Sequence, residues 1–447
     1  MTTTETATTT ASWRRAVAAA RPQRTGSVRS VLGLSAEVIG IDAAVGDRVR
    51  IEVTGGLPVD AEVVAVDGSS ATCMPLGPLD GITARATVVH TGERLRVPTG
   101  PDLLGRVLDG LGRPIDGRGP LGSGGEFVPL EHEAPGILDR QRIDTQLGLG
   151  VRVLDTMTPV GRGQRLGLFA GSGVGKSSLL SMIARGSTAD VNVIALVGER
   201  GREVREFLED DLGPEGLARS VVVVATSDQP AMVRMRSAFV ATRIAEQFRA
   251  DGAHVVLMMD SLTRVAMAQR EIGLSAGEPP ATRGYPPSTF SVLARLLERA
   301  GTGQTGSITG LYTVLVDGDD HNEPIADAAR GILDGHVVLD RALAVRGHFP
   351  AVDVLASISR VVSKITTAQQ RADAVALRSV LAARRGASDL IDIGAYRAGA
   401  NPLVDAAITH DAAIAAFLTQ AMDDGTTADE SWQRLAALTT DFGGLPA

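Results

Sequence analysis

Residues 165–183 read RLGLF, then AGSGVGKSS, then LLSMI. The first five residues have the apolar character of a short buried strand, and the last five carry apolar residues at helical spacing. The glycines between them permit a tight turn whose backbone N–H groups converge. Such a turn at a helix N-terminus binds phosphate oxygens, while Lys176 can reach the β and γ phosphates and the Ser177 hydroxyl can bind Mg²⁺. The stretch therefore predicts a Walker A loop.

The predicted loop departs from the usual pattern at its first position, where the small residue Ala170 replaces glycine. A dinucleotide-binding loop is one alternative because glycines alternate here, but that fingerprint needs its third glycine one place later and has no Lys-Ser after it. A glycine turn with an incidental lysine is the other. The residues predicted to bind the nucleotide are Ala170, Gly171, Ser172, Gly173, Val174, Gly175, Lys176, Ser177 and Ser178.

Length and composition indicate a globular α/β protein. At 447 residues the chain has room for about three domains of ~150 residues each. Hydrophobic residues make up 44% and charged residues 21%, which fits a globular protein better than a disordered or fibrous chain. The net charge of −8 argues against a nucleic-acid binder held by bulk charge. The histidines form no H-E-x-x-H motif and no cluster with cysteine, which argues against a zinc site.

The sequence also favours a cytoplasmic protein. The single cysteine, Cys73, cannot form an intramolecular disulfide. The Thr-rich start lacks the apolar core of a signal peptide, and no run approaches the ~18 apolar residues of a membrane span.

Residues 27–98 consist of short strand-like runs separated by Gly, Asp and Pro, which is typical of a small β-barrel. There is no Phe, Tyr or Trp between Trp13 and Phe127. Because single-stranded nucleic acids are bound by stacking on aromatic side chains, this barrel is interpreted as an assembly collar.

After the barrel, continuous apolar runs at 165–170, 191–197, 220–226, 254–260 and 308–316 alternate with helical patterns. This alternation predicts a mainly parallel sheet covered on both faces. Beyond residue 366 only helical patterns remain, and residues 427–430 form a capping box that opens the last helix.

The predicted fold class is α/β, with four segments along the chain. Residues 1–26 are a tail, with a short partner-binding helix at 13–20 as the alternative. Residues 27–98 are the N-terminal small β-barrel. Residues 99–365 are a RecA-like P-loop domain with a mainly parallel sheet, and residues 366–447 are a C-terminal helical domain.

Two acidic residues follow predicted strands near the loop. Asp260 ends the run 254–260 and is predicted to bind Mg²⁺ with Ser177. Glu199 follows the run 191–197, where it either polarises the attacking water or belongs to a solvated charge cluster. Judged from the residues alone, Arg360 is a surface arginine and Phe349 an ordinary core residue.

Longer motifs give the chain a resemblance to the catalytic subunits of the rotary ATPase superfamily. PAVD at 350–353, with Ser357 and Ser359, meets the P-[SAP]-[LIV]-[DNH]-x-x-x-S-x-S signature of those subunits. Within the superfamily the chain is most similar to the flagellar type of type III protein-export ATPase, and the likeness covers about residues 27–420. The other motifs that carry it, besides the loop, are LLGRVLDGLGRPIDG, ALVGERGREVREF, MDSLTRVAMAQREIGL, GEPPATRGYPPSTFSVLARLLERAG and VDGDDHNEPIADAARGILDGHVVLDR.

The resemblance implies roles for individual residues. Glu199 stands where the family has the glutamate that activates water, and Arg360 where it has an arginine that enters the neighbouring subunit's nucleotide site. Phe349 stands where the family stacks an aromatic ring, in many relatives Tyr, on adenine. Arg200 and Arg264 match further arginines that line the phosphate site. The implied catalytic set is Lys176, Glu199, Arg200, Arg264 and Arg360.

The resemblance further implies Mg²⁺-dependent hydrolysis of ATP in a homohexamer that energises flagellar or other type III protein export. The implied partners are a stator-like regulator on the N-terminal segment, a coiled-coil central stalk protein, the export gate and the exported proteins, with no nucleic acid. The implied location is the cytoplasmic face of the inner-membrane export apparatus, with peripheral membrane association only.

Four alternatives remain open. A virulence injectisome ATPase shares these motifs. An F-type synthase β subunit is disfavoured by GERGREV and by the lack of an acidic DELSEED-like segment in the C-terminal helices. A non-catalytic nucleotide-binding scaffold would lack the carboxylate of Glu199. An RNA translocase of the termination-factor kind would need aromatics in its barrel.

Overall fold

The structure is a computed structural model that describes residues 24–122, 124–316 and 323–442. The chain divides into two compact units, Met1–Leu95 with Ser275–Gly277, and Arg96–Leu274 with Glu278–Ala447. The predicted tail up to residue 23, including the alternative helix at 13–20, lies outside the described residues, as does the GDDHN sequence at 318–322. Among the described residues, no helix is long and apolar enough to cross a membrane.

Six strands of the first unit close into a barrel, in the order β1-β2-β5-β4-β3-β6. Alternation along the strands explains why, since RVRI in β3 buries Val49 and Ile51 and leaves Arg50 exposed. Small aliphatic side chains fill the barrel, and burial raises the pKa of the Cys73 thiol at its centre to about 12. The strands are β1 Thr25–Leu32, β2 Ser35–Ile39, β3 Arg48–Ile51, β4 Val59–Asp67, β5 Ser70–Pro75 and β6 Thr87–His90.

The last strand-like run assigned to the barrel lies elsewhere. Arg96–Pro98 forms β7, which pairs with β9, Phe127–Pro129, in a separate two-stranded sheet. Local alternation identified a strand at this position, but it carries no information about a partner 30 residues further along the chain.

A nine-stranded sheet forms the centre of the second unit, and its main path runs β19-β18-β12-β17-β15-β13-β14-β8. The pairs along this path from β18 to β8 are parallel, whereas the edge strand β19 and the short β16 pair antiparallel with β18 and β17. The predicted mainly parallel sheet is therefore confirmed. Its strands are β8 Val107–Asp109, β12 Arg165–Ala170, β13 Val191–Glu199, β14 Ser220–Thr226, β15 His254–Asp260, β16 Gly301–Thr302, β17 Ser307–Leu315, β18 Gly335–Leu339 and β19 Ile358–Ser359. Two further strands, β10 Gln146–Leu147 and β11 Val160–Gly161, pair with each other.

Helices connect the strands of this sheet. The helical pattern predicted between the runs 220–226 and 254–260 forms α5, which lies against β13, β14 and β15. A helix after Asp260 was not predicted, yet α6 begins two residues beyond it. The helices of this part are α1 Arg152–Met157, α2 Lys176–Gly186, α3 Gly201–Glu206, α4 Gly213–Ala218, α5 Ala231–Ala250, α6 Leu262–Ser275, α7 Pro287–Glu298, α8 Pro324–Ile332 and α9 Arg341–Val345. A π-helical turn, Phe207–Leu212, joins α3 to α4.

The described residues beyond 366 contain helices and no strand, as predicted. The capping box at 427–430 is present, because the Thr427 hydroxyl accepts from the Glu430 N–H and the Glu430 side chain accepts from the Thr427 N–H. These helices pack on α1, and the Trp432 indole donates to Gln146 at 3.1 Å. The helices are α10 Val362–Ile365, α11 Ala368–Gly386, α12 Ser388–Asp392, α13 Pro402–Thr409, α14 Asp411–Leu418 and α15 Ala428–Thr440.

Candidate active site

The loop between β12 and α2 lies at the carboxyl edge of the sheet. Ala170 ends β12, is buried, and pairs with Leu315 and Leu339 of the neighbouring strands. Gly173 and Gly175 have φ of 76° and 88°, in the left-handed region that favours glycine. Ser172, Gly173 and Ser177 are exposed, so the loop presents its backbone to solvent at the N-terminus of α2.

Lys176 brings two predicted acidic residues together. Its Nζ lies 2.5 Å from Asp260 Oδ1 and 3.6 Å from Glu199 Oε1. This follows from the sheet, because β13 and β15 are adjacent, Leu196 pairs with Asp260, and both strands end at the same edge. Asp260 lies two strands from β12, with β17 between them.

Sequence reasoning missed Thr313, which holds the Asp260 carboxylate in place. Its hydroxyl lies 2.8 Å from Asp260 Oδ1, as donor, and 3.2 Å from the Met259 carbonyl. Thr313 lies in β17 and is fully buried. The available signal was a threonine in a largely apolar run, but Thr309 in the same run 308–316 gives the same signal.

The environment of Glu199 raises the pKa of its carboxyl to about 7. Burial is the largest cause, and the negative charge of Asp260 adds to it, while the Lys176 ammonium acts in the opposite direction. A hydrogen bond with the Glu203 carboxyl also raises this pKa. A carboxyl group with a pKa near neutrality suits a general base.

The two arginines implied by resemblance have different surroundings. The Arg264 side chain passes over Gly198, where an added Cβ would lie 3.0 Å from the arginine Cβ, and the φ of Gly198 is 72°. Arg264 Nε is buried and makes no hydrogen bond, so the guanidinium of this side chain, whose stem packs on the residue before Glu199, has donor capacity to spare. Arg200 is exposed and forms an ion pair with Glu203 at 3.3 Å. The structure therefore brings Arg264 to the site and leaves Arg200 at its rim.

Phe349 lies beside the loop and does not belong to the core, contrary to the interpretation from the residues alone. A Cβ added to Gly175 would lie 3.2 Å from the Phe349 ring, and Phe349 is 44% exposed. The Gln420 N–H donates to the Phe349 carbonyl at 2.9 Å and links this segment to the C-terminal helices. An exposed aromatic face is thus available next to the phosphate loop.

Arg360 lies at the opposite edge of the sheet from the loop. Its N–H donates to the Asp334 carbonyl at 3.0 Å, and the Asp334 N–H donates to the Arg165 carbonyl at 2.8 Å. Arg165 begins β12 and the loop follows its end, so the five intervening residue steps of about 3.3 Å each span roughly 16 Å. The exposed guanidinium makes a hydrogen bond of 3.4 Å to the Arg330 carbonyl. The structure does not bring Arg360 to the phosphate loop of its own chain.

The residues at the loop fit a nucleotide and a magnesium ion. The Ser177 hydroxyl and the Asp260 carboxylate are hard oxygen ligands, and Mg²⁺ in phosphate sites is bound by one or two such groups together with phosphate and water. Among the described residues, no group of three or more His, Cys, Asp or Glu could hold a metal ion. Ser177 and Asp260 could therefore contribute two oxygen ligands to an ion that is also bound by phosphate.

A phosphate loop between a buried strand and a helix, with acidic residues at the same edge of a mainly parallel sheet, defines a P-loop NTPase. The nucleotide-binding domain of the ATP synthase alpha/beta family matches residues 150–359, and the C-terminal domain of the type III secretion ATPase EscN matches residues 366–437. The chain belongs to the ATP synthase alpha/beta family, in its type III protein-export branch. It is an ATPase of that branch, which confirms the resemblance.

Curated relatives match nearly the full chain. The flagellum-specific ATP synthase of Bacillus subtilis is 52% identical over 93% of this chain and 95% of its own length. The type 3 secretion system ATPase of Xanthomonas euvesicatoria is 48% identical over 94% of this chain and 95% of its own length. The flagellar and secretion ATPases are therefore similarly close to this sequence.

Solved structures confirm the predicted fold class. Assembled EscN from the type III secretion system of enteropathogenic E. coli superposes with a TM-score of 0.87 at 41% identity, covering 93% of this chain and all of that one. EscN in complex with its central stalk EscO gives a TM-score of 0.86 at the same identity and with the same coverage of both chains.

Proposed function

We propose that the chain hydrolyses ATP to ADP and phosphate in a homohexameric ring and that this reaction energises flagellar protein export. The observation that carries the chemistry is the cluster of Lys176, Asp260 and Glu199 at the phosphate loop. Virulence-type secretion is the second candidate, supported by the 48% identity to a type 3 secretion system ATPase.

Each residue of the cluster has a distinct task in the proposed reaction. The loop N–H groups and Lys176 bind the phosphates, and the ammonium exchanges its carboxylate contacts for phosphate oxygens. Ser177 and Asp260 would hold Mg²⁺, which neutralises phosphate charge. Glu199, as the carboxylate, accepts a hydrogen bond from the attacking water and polarises it.

Three further residues complete the proposed site. Arg264 directs its unused donor capacity at the charge that develops on the phosphate. Phe349 stacks on the base. Arg360 acts in the site of a neighbouring subunit, since it lies about 16 Å along β12 from its own loop. An arginine supplied in this way contributes roughly 10³- to 10⁵-fold in rate.

The relatives of this chain support part of the proposed set of partners. The structure of EscN with EscO supports a central stalk protein for this chain as well. A stator-like regulator, the export gate and exported proteins complete the proposed set, and the proposed location is the cytoplasmic face of the inner-membrane export apparatus, with peripheral association only.

Mixing two inactive variants tests the ring. Lys176→Ala removes the phosphate contact, and Arg360→Ala removes the arginine that serves the neighbour. In mixed rings some sites pair an intact loop with an intact arginine, so we expect partial ATPase activity to return. The control is each variant mixed with itself. Mixed rings that form and stay inactive, or full activity of Arg360→Ala alone, would show that each site is complete within one chain.

A further inference from the structure

The Gln420 side chain is buried two residues after the end of α14 and makes three hydrogen bonds. Its Oε1 accepts from the Arg152 N–H at 2.7 Å, and its Nε2 donates to the carbonyls of Gly150 at 2.9 Å and Asp424 at 2.7 Å. Separating these groups would leave buried polar atoms unpaired, which costs free energy. Gln420 therefore joins the turn before α1 to the segment after α14.

Arg152, the first residue of α1, strengthens the same connection. Its buried guanidinium donates to the Phe417 carbonyl at 2.8 Å and to the Thr419 carbonyl at 2.7 Å. A third bond, of 3.3 Å, joins it to the Thr426 hydroxyl. The backbone on both sides of Gln420 is thus held against the start of α1. We call Arg152 and Gln420 the α1 clamp.

The turn that the α1 clamp holds packs on the end of α2. A Cβ added to Gly150 would lie 2.7 Å from the Cα of Gly186, the last residue of α2. The Thr188 N–H donates to the Gly148 carbonyl at 2.9 Å just beyond it. Because α2 begins at Lys176, one side of the α1 clamp is fixed to the helix that follows the phosphate loop.

The other side of the α1 clamp holds Phe349. The Gln420 N–H donates to the Phe349 carbonyl at 2.9 Å. Since Pro350 has no N–H, the peptide group between Phe349 and Pro350 can be held by hydrogen bonds only through that carbonyl. The Phe349 side chain is partly exposed, so packing fixes its position only in part. Gln420 thus links the backbone of Phe349 to the turn that packs on α2.

We propose that Gln420 is a positioning residue, which holds Phe349 where its ring stacks on the base of a nucleotide bound at the phosphate loop. Gln420 itself does not touch the nucleotide. The inference rests on the proposed stacking of Phe349 on the base. It makes the affinity for the base, and not the rate of phosphate cleavage, depend on the segment after α14.

Steady-state kinetics of the full chain provide the first test. Gln420→Ala should raise the KM for ATP by about fivefold or more and leave kcat within about twofold of wild type, because base stacking is the same in the ground state and the transition state. Thr419→Ala is the matched control, since it removes only a hydroxyl that donates to the Ala415 carbonyl at 2.8 Å. Unchanged KM of Gln420→Ala, or an equal rise in the control, overturns the proposal.

Combining Gln420→Ala with Phe349→Ala shows whether Gln420 acts through Phe349. The double variant should have the KM of Phe349→Ala alone, because no ring is left to misplace. Additive increases in KM indicate a merely structural role for Gln420 and overturn the proposal. A normal KM of Phe349→Ala would overturn the proposed stacking itself, whereas a raised KM of Phe349→Ala beside a normal KM of Gln420→Ala overturns only the positioning role.

A second test leaves Gln420 in place, because Gln420→Ala also removes the partners of the Arg152 N–H and the Gly150 carbonyl. Hydrogen exchange is measured in wild type and Phe349→Ala, each saturated with a non-hydrolysable ATP analogue and Mg²⁺. The analogue should slow exchange in α2 of both proteins, but over residues 417–426 in wild type alone. Equal protection of residues 417–426 in both proteins, or none in either, overturns the proposal.

Discussion

Lys176 faces two carboxyl groups with a single positive charge. Its short contact is with Asp260, and Glu199 lies 3.6 Å away, so one ammonium cannot fully compensate both carboxylates. Burial of Glu199 and this imbalance of charge together raise the pKa of its carboxyl to about 7, above that of an exposed glutamate. The sequence placed Asp260 and Glu199 after predicted strands and Lys176 in the loop after another strand, but only the order of the strands brings the three side chains together.

Glu199→Gln should retain ATP binding and lose hydrolysis, because the amide fills the same space without acting as a base. We expect turnover to fall by about 10²- to 10⁴-fold. Fluorescent-nucleotide binding and phosphate release, measured together, check this. Lys176→Ala is the companion variant, which should lose ATP binding as well. Undiminished phosphate release by Glu199→Gln would favour the alternative that Glu199 belongs to a solvated charge cluster.

The raised pKa of Glu199 also predicts how stability depends on pH. Between about pH 4.5 and 7 the folded chain retains a proton on Glu199 that the unfolded chain releases, so the contribution of this residue to the free energy of unfolding falls as pH rises. The total is at most about 3.5 kcal/mol, because the pKa rises from 4.5 to about 7 and each pKa unit corresponds to ~1.4 kcal/mol. We therefore compare the free energy of unfolding of Glu199→Gln with that of wild type, in the absence of nucleotide. The difference should favour the variant more at pH 8 than at pH 5. The same stability difference at both pH values would contradict the assigned pKa.

At the level of elements, the Thr427 hydroxyl caps α15, and a single substitution measures how much this cap contributes to stability. Thr427→Ala removes the acceptor for the Glu430 N–H and should lower the free energy of unfolding by about 1 kcal/mol. ATPase activity should be unaffected, because α15 packs on α1 away from the loop. Thermal melting with parallel turnover measurements checks this, and Thr427→Ser, which keeps the oxygen, should match wild type.

The sequence predicted elements well wherever the pattern is local. The run HVVLMMD forms β15 with both ends as predicted. An unbroken apolar run of this length is typical of a buried strand and is short for a helix. Pairing was beyond local patterns, as β7 shows by joining β9 outside the barrel. The same limit applied to Thr313 and Arg360, whose surroundings depend on which strands are neighbours and not on the residues beside them in sequence.

For the whole molecule, we expect no saturable binding of nucleic acid. The barrel has no aromatic side chain on which bases could stack, and the chain carries a net charge of −8. Fluorescent RNA and DNA titrated at low and moderate salt should give at most weak, salt-sensitive association without change in ATPase rate. Saturable RNA binding that stimulated turnover would favour the translocase alternative.

The phosphate loop and Arg360 lie at opposite ends of β12 and its neighbours. This separation determines how many complete sites an assembly of subunits contains. A contact that joins them uses two different surfaces, so it is heterologous and repeats head to tail. Any open string of subunits then has one terminal loop that receives no arginine, and a pair of chains has a single complete site. Only closure into a ring completes every site, so activity per chain should rise with each added subunit and reach its maximum when the last gap closes.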